Sequence, residues 1–182
     1  MIYYIADNHF GHKNVIRFDN RPFADTVLMD EVLVHNWNER VTEDDTVYIL
    51  GDCFWKNEEN SVKLIQRLKG HKHLIRGNHD RVHGRLRFYY ESIEHYAEIN
   101  DNDRLVILCH YPIPFYKNQH YGAVMLYGHV HNTREQDFIE KWKRELWESE
   151  IPCNMINVGC MMFISRLSQV GNSKRLRVFT VG

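Results

Sequence analysis

Seven residues with metal-binding side chains occur in an ordered series of short motifs. The series begins with Asp-Asn-His near the N-terminus and ends with Gly-His-Val-His. Its candidate ligands are Asp7, His9, Asp52, Asn78, His110, His129 and His131. Carboxylate, amide and imidazole groups form a mixed hard and borderline set, which suits manganese, iron, zinc or nickel better than calcium. Seven candidates are too many for one ion, so the sequence predicts two divalent ions.

Each motif alone also has an ordinary structural explanation. An Asp-x-His pair is mostly a surface or capping feature, and Gly-Asp is mostly a turn. Gly-Asn-His-Asp fits a tight turn, and a lone histidine at a strand end, such as His110, is more often structural. These explanations weaken because all five motifs occur in one chain and each follows a short apolar run.

The apolar runs before the motifs are predicted to be buried strands. They cover residues 1–6, 46–50, 73–75, 105–109 and 124–127. Ligand sites in open α/β sheets collect at the carboxyl ends of the strands, so the motifs are expected to meet there. Alternating strands and helices before residue 80 predict an α/β layout. The strand-rich part after residue 95 predicts a second sheet, with closing strands at 154–158 and 175–181.

Three helices are predicted from apolar residues at helical spacing. The first has the stripe Leu28, Met29, Val32, Leu33, Asn36 and Trp37. The second has Leu64, Ile65 and Leu68, with Gly70 as its cap. The third covers residues 136–148, with Phe138, Ile139, Trp142 and Leu146 on one face. This third helix is interpreted as a lid or contact surface, or as a cover for the sheet.

Composition is that of a soluble globular protein of one domain. The chain has 182 residues, of which 43% are hydrophobic and 26% charged. Without an evident linker, residues 1–182 are predicted to form one domain, with a helical insertion at about 133–152. A formal net charge of −1 argues against broad charge-driven binding to nucleic acid. Four cysteines without a Cys-x-x-Cys pair fit a reducing compartment. With no signal peptide or membrane span recognised, a cytoplasmic protein is expected.

The ordered motifs resemble the calcineurin-like metallophosphoesterase superfamily over residues 7–131. Residues 10–23 further resemble a small bacterial and phage subgroup. The resemblance implies a two-sheet β-sandwich flanked by helices, in the layer order α/β/β/α. It also implies two ligand sets joined by Asp52: Asp7, His9, Asp52 and His131 for one ion, and Asp52, Asn78, His110 and His129 for the other. His79 would be the catalytic histidine, paired with Asp80.

By this resemblance the protein is a hydrolase, a phosphoesterase or phosphatase, that cleaves a phosphomonoester or phosphodiester. A hydroxide bridging the two ions would be the nucleophile, and manganese is the first expectation for the metal. A nucleotide is one option for the substrate. Candidate substrate contacts, each with a structural alternative, are His12, Arg21, Arg76 and Arg81. Two other functions stay open: a non-catalytic binding module on the same fold, and a nuclease acting on nucleic-acid ends.

Overall fold

The strands of the protein form two sheets in a computed structural model, which describes residues 1–162 and 176–178. The first sheet contains β1 (Ile2–Ile5), β2 (Thr46–Ile49), β3 (His71–Ile75), β4 (Ser92–Glu94) and β9 (Arg177–Val178). Its order is β4-β3-β2-β1-β9, and all neighbouring pairs are parallel. The predicted closing strand at 175–181 is thus present at 177–178, and its other residues, apart from Leu176, lie outside the described part.

The second sheet contains β5 (Tyr96–Asp101), β6 (Arg104–Cys109), β7 (Val124–Tyr127) and β8 (Met155–Asn157), in that order. Strands β5 and β6 form an antiparallel hairpin, whereas β6, β7 and β8 are parallel. The hairpin turn uses Asn102 and Asp103, both with positive φ, as a two-residue turn between twisted strands requires. The predicted second sheet is therefore confirmed.

Among the described residues, four α-helices flank the sheets: α1 (Lys13–Phe18), α2 (Thr26–Arg40), α3 (Glu58–Ile65) and α4 (Arg134–Glu148). Asp25, Asn57 and Thr133 cap α2, α3 and α4 by accepting a hydrogen bond from a backbone N–H of the first turn. The described residues thus form a mixed α/β fold, as predicted. Within the same part of the chain, no helix has the length and apolar character needed to cross a membrane.

Two helices differ in part from their predictions, α2 at one residue of its face and α3 at its end. Leu28, placed on the buried stripe of α2, is 48% exposed, and Asp30 is buried instead. The reason is that the Asp30 carboxylate accepts a hydrogen bond from Gly11 N–H and pairs with Lys56. In α3 the helix ends at Ile65, five residues before the predicted glycine cap.

Helix α4 covers the second sheet. Ile139, Trp142 and Leu146 pack against Tyr127 and Met155 of this sheet, whereas Phe138 is exposed. Buried Gln136 fixes the start of the helix, because its side-chain oxygen accepts hydrogen bonds from the Tyr127 hydroxyl and the Asn157 amide. Of the predicted roles for this segment, the structure favours a cover for the sheet.

Alternation along the strands divides the apolar residues into layers. In β1, Tyr3 and Ile5 belong to a cluster with the first three helices, whereas Tyr4 belongs to a cluster shared by both sheets. In β6, Val106 and Leu108 join the shared cluster, and Ile107 faces the α4 side. Period-two alternation thus places β1 and β6 between two apolar layers.

A hydrogen bond ties the sheets together inside the shared layer. The Tyr4 hydroxyl donates to Asp101 Oδ2 at 3.0 Å, and both residues are buried. We expect Tyr4→Phe to lower the free energy of unfolding by about 1–3 kcal/mol, because the Asp101 oxygen would lose this donor in a buried place. Urea unfolding measures this, with Tyr121→Phe as control, since Tyr121 is 87% exposed. Equal stability of both variants would show that the bond contributes nothing.

Candidate metal centre

The motif residues meet because the strands before them are parallel neighbours. Strands β1, β2 and β3 lie side by side in the first sheet, and β6 and β7 lie side by side in the second. Asp7, Asp52 and Asn78 follow the first three strands, whereas His110 and His129 follow the other two. Carboxyl ends of adjacent parallel strands share one sheet edge, so the topology gathers the loops at one place.

Backbone strain is concentrated in these loops. Five of the seven candidate ligands have a positive φ: Asp7, His9, Asp52, His129 and His131. Residues other than glycine rarely adopt this backbone conformation, which costs about 1–3 kcal/mol of folding free energy per residue. Conformations of this cost persist where the surrounding structure holds them, which is typical of functional sites.

The candidate ligands form two groups, and within each group the ligand atoms all lie within 4.8 Å of one another. The first consists of Asp7, His9 and His131, and the second of Asp7, Asp52 and His110. Asn78 and His129 complete the second group, since Asn78 Oδ1 lies 3.0 Å from His110 Nε2 and 3.1 Å from His129 Nδ1. All seven predicted residues are therefore together in the structure.

Asp52 faces both groups. Its Oδ2 lies 3.7 Å from His9 Nε2 and 3.6 Å from His110 Nε2, and its Oδ1 accepts a hydrogen bond from His79 N–H. Asp7 is a member of both groups, and its carboxylate already accepts a hydrogen bond from the backbone N–H of His129. The position of Oδ2 between two imidazoles favours Asp52 as the shared ligand.

The imidazoles are oriented by partners outside the group. His110 Nδ1 lies 2.8 Å from the Leu50 carbonyl oxygen, an acceptor that holds the ring with Nε2 towards Asp52. His131 Nδ1 lies 2.9 Å from Asp19 Oδ2. A carboxylate behind a histidine is a common second partner of metal ligands.

Asp19 is a site residue that sequence reasoning missed. Its Oδ2 also accepts hydrogen bonds from Arg21 Nε and an Arg21 terminal nitrogen, at 3.1 and 2.9 Å. Arg21, a predicted substrate contact, is buried, and it also donates to the backbone carbonyls of Asp7 and Asn8. This geometry favours a positioning role for Arg21. The available signal was the spacing Asp-x-Arg inside residues 10–23.

The Asp80 carboxylate binds the backbone and not the His79 ring. It accepts hydrogen bonds from the N–H groups of Asp52, Cys53 and Gly77, at 2.8–3.0 Å. The implied pairing with His79 is corrected accordingly, because three backbone donors already occupy both carboxylate oxygens. Asp80 instead joins the loops after β2 and β3.

Gly77 allows the close approach of these two loops. A Cβ at this position would lie 2.3 Å from Asp52 Oδ1 and 2.8 Å from Asp52 N. At Gly51, where φ is +87°, a Cβ would lie 2.3 Å from His110 Nδ1. Both glycines therefore make room for candidate ligands, which explains the Gly-Asp and Gly-Asn pairs of the sequence.

Burial is the largest cause of the pKa shifts of Asp7 and His9 in the first group. It raises the pKa of Asp7 to about 6 and lowers the pKa of His9 to about 2. The pKa of His131 is raised: burial lowers it, but the hydrogen bond with Asp19 and the charges of Asp7 and Asp19 outweigh burial. His9 is thus a neutral imidazole, the form that binds metal.

An independent observation indicates that these residues fit a divalent metal ion. His9 Nε2 is buried and has no hydrogen-bond partner among the described residues. Two ligand atoms that each lie about 2.0–2.2 Å from one ion are roughly 3–4 Å apart, and His9 Nε2 and Asp52 Oδ2 are 3.7 Å apart. An ion between these atoms would satisfy the buried nitrogen.

Beside the centre, an aromatic cluster missed by sequence reasoning surrounds His79. The Trp55 ring stacks on His12, with centroids 3.9 Å apart and planes at 7°, and its centroid lies 4.5 Å from that of His79. His12, a predicted substrate contact, thus lies at the edge of the centre. Arg81 is exposed in the adjoining cleft, whereas Arg76 donates a hydrogen bond to the Asp80 carbonyl.

We expect Asp19→Ala to weaken metal binding about 10–100-fold at the ion nearest His131, because the imidazole would lose the partner that orients it. Calorimetric titration with Mn²⁺ measures this, and Glu43→Ala on the surface is the control. Asp19→Asn keeps a hydrogen-bond acceptor and should be affected less. Unchanged affinity in folded Asp19→Ala protein would contradict the positioning role.

Relatives of the chain occur in archaea and phages. The uncharacterized protein MJ1445 of Methanocaldococcus jannaschii is 35% identical over 139 residues, which cover 75% of this chain and 73% of that protein. The chain belongs to the MJ1445 family. Gene 66 protein of Mycobacterium phage L5 is 38% identical over 85 residues, 44% of this chain and 40% of that protein. Gene 66 protein of Mycobacterium phage D29 is 26% identical over 159 residues, with coverage of 72% and 78%.

A solved structure has the same fold as this member of the MJ1445 family. It is the crystal structure of AQ665 from Aquifex aeolicus, described as a protein of unknown function. The TM-score is 0.67 at 25% identity, and the likeness covers 87% of this chain and 89% of AQ665. No family model matches the sequence.

Proposed function

We propose that the protein hydrolyses a phosphate ester, a monoester or a diester, with two divalent transition-metal ions held by the seven residues described above. The observation that carries the proposal is the position of Asp52 Oδ2, at 3.7 Å from His9 Nε2 and 3.6 Å from His110 Nε2. One carboxylate oxygen between imidazoles of two ligand groups is the arrangement expected of a shared ligand.

The layers of the fold support the proposal. The fold has four layers: the first three helices, the first sheet, the second sheet and α4. An apolar cluster lies between each layer and the next. We propose that these layers are the α/β/β/α sandwich of the metallophosphoesterase type. In this interpretation the parallel strands bring five loops together at the carboxyl ends of the two sheets.

When bound, two ions at such a centre would neutralise negative charge on the phosphoryl oxygens and would activate a water molecule as nucleophile. Asp7 and Asp52 supply the negative charge that holds divalent ions, and His9 stays neutral because it is buried. Manganese is proposed first, with iron, zinc and nickel as alternatives that the same ligands accept.

His79 is proposed to act on the leaving group. Only its backbone N–H is used in holding the centre, through the hydrogen bond to Asp52 Oδ1, and the residue is exposed. Its ring centroid is 6.0 Å from that of His9, so the imidazole stands next to the ligands without belonging to either group. In this place it can donate a proton to the leaving oxygen.

The test combines metal analysis with hydrolysis. Protein purified in Mn²⁺ should contain close to two equivalents per chain, and it should hydrolyse p-nitrophenyl phosphate, its bis ester or a cyclic nucleotide. A plateau at one equivalent, with Asn78→Ala and His110→Ala indifferent, would overturn the two-ion centre. Two equivalents without hydrolysis of any ester would instead support a binding module. Degradation of nucleic-acid ends alone would support the nuclease alternative.

A further inference from the structure

A cleft of about 540 Å³ opens directly beside the candidate centre. Asn78, a candidate ligand, and His79 line both the centre and this cleft. The volume lies within the range of about 300–1,000 Å³ that is typical of sites for small molecules. A group attached to the leaving oxygen near His79 would therefore extend into the cleft.

The lining of the cleft is apolar and aromatic on one part and polar on another. Phe54, Leu86 and Tyr90 are buried side chains of the lining, and Trp55 lines it with 43% of its surface exposed. Exposed polar groups of the lining are Asn57, Arg81 and His83. A ligand with a flat apolar face and polar edges matches such a lining.

Trp55 is held in place before any ligand arrives. Its backbone N–H donates to the Phe10 carbonyl, and its ring stacks on His12. The next residue, Lys56, pairs with Asp30, which also accepts a hydrogen bond from Gly11 N–H. A ring that is already fixed loses little conformational entropy on stacking, so an exposed indole in this place is suited to bind a planar group.

We propose, given phosphoester hydrolysis at this centre, that the leaving group is a nucleoside whose base stacks against Trp55 in the cleft. The short distance of 4.5 Å between the ring centroids of Trp55 and His79 places the indole beside the group that protonates the leaving oxygen. Sugar phosphates lack the planar ring, and a duplex nucleic acid exceeds the cleft. The substrate is then a mononucleotide or a small nucleotide ester.

A matched pair of substrates isolates the base. Adenosine 5′-monophosphate and ribose 5-phosphate share the phosphoryl group and the leaving oxygen, and the second lacks the base. If the protein prefers diesters, the methyl esters of both compounds are used. In wild-type protein kcat/KM should be about tenfold or more higher for the nucleotide, since stacking of a base on an aromatic side chain is typically worth about 1–3 kcal/mol.

Trp55→Ala should bring this ratio close to one, whereas Trp55→Phe should retain most of the preference. Phe138→Ala is the control, because Phe138 is an exposed aromatic residue of α4 outside the cleft lining. Phe138→Ala should hydrolyse ribose 5-phosphate, or its methyl ester, at the wild-type rate and should keep the wild-type ratio. An equal kcat/KM for the two substrates in wild-type protein, or an unchanged ratio in Trp55→Ala, would overturn the inference and leave the proposed hydrolysis intact.

A binding measurement separates the inference from the proposed function. Adenosine should quench tryptophan fluorescence of the metal-free protein, and the quenching should disappear in Trp55→Phe. If the Mn²⁺-loaded protein hydrolyses no ester, the proposed function fails, while quenching still reports whether the cleft accepts the base. Absence of quenching together with nucleotide hydrolysis that does not depend on Trp55 would refute the stacking site.

Discussion

Asp52→Asn is expected to remove both ions of the proposed centre and nearly all of the proposed hydrolysis. The substitution makes the carboxylate neutral at the place where Oδ2 lies 3.7 and 3.6 Å from imidazole nitrogens of the two groups. A residue shared by two ions contributes to both binding constants. The loss in affinity should therefore exceed the factor of about 10–100 that removal of an outer partner costs. Elemental analysis and Mn²⁺ titration of the variant measure it.

Asp7→Asn is the matched comparison, because Asp7 is a member of both groups. If Asp52 is the shared ligand, Asp52→Asn loses both ions, whereas Asp7→Asn retains one. The reverse order would assign the shared position to Asp7. Asp44→Asn, on the surface, controls for the change of charge alone. Full metal content in Asp52→Asn would refute its bridging role.

The sequence predicted which residues meet, because the candidate ligands follow buried strands. Apolar runs identify strands through local composition, and the polar residue after each run marks its carboxyl end. The chain then needs only parallel pairing of β1, β2 and β3 to bring Asp7, Asp52 and Asn78 together. The positive φ angles at five of the ligands are a consequence of the fold and have no local signal beyond the neighbouring glycines.

The residues that sequence reasoning missed, or gave another partner, act through long-range contacts. Asp19 reaches His131, which is 112 residues away in sequence, and Asp80 reaches the backbone of Asp52 from the next loop. Trp55 stacks on His12, from the loop after β1. Neither hydrophobic periodicity nor motif spacing can predict such pairs, since both describe residues that are close in sequence within one helix, strand or loop. The same limit explains α2, where Asp30 is buried and Leu28 is exposed, although Met29, Leu33 and Trp37 of the predicted stripe are buried.

His79→Ala is expected to lower turnover by about 10²–10⁴-fold while the metal content stays near that of the wild type, because proton transfer to a leaving group is typically worth this factor. The side chain belongs to neither ligand group, and the contact that His79 makes with Asp52 comes from its backbone N–H, which alanine retains. Steady-state kinetics and elemental analysis on the same preparation separate the two effects. His95→Ala serves as control, since His95 is exposed and outside the cleft lining. A p-nitrophenolate leaving group needs less protonation than an alkoxide, so the loss should be larger for alkyl esters than for p-nitrophenyl esters. An equal loss for both ester types would indicate that His79 stabilises phosphoryl charge, and unchanged turnover would exclude it from the reaction.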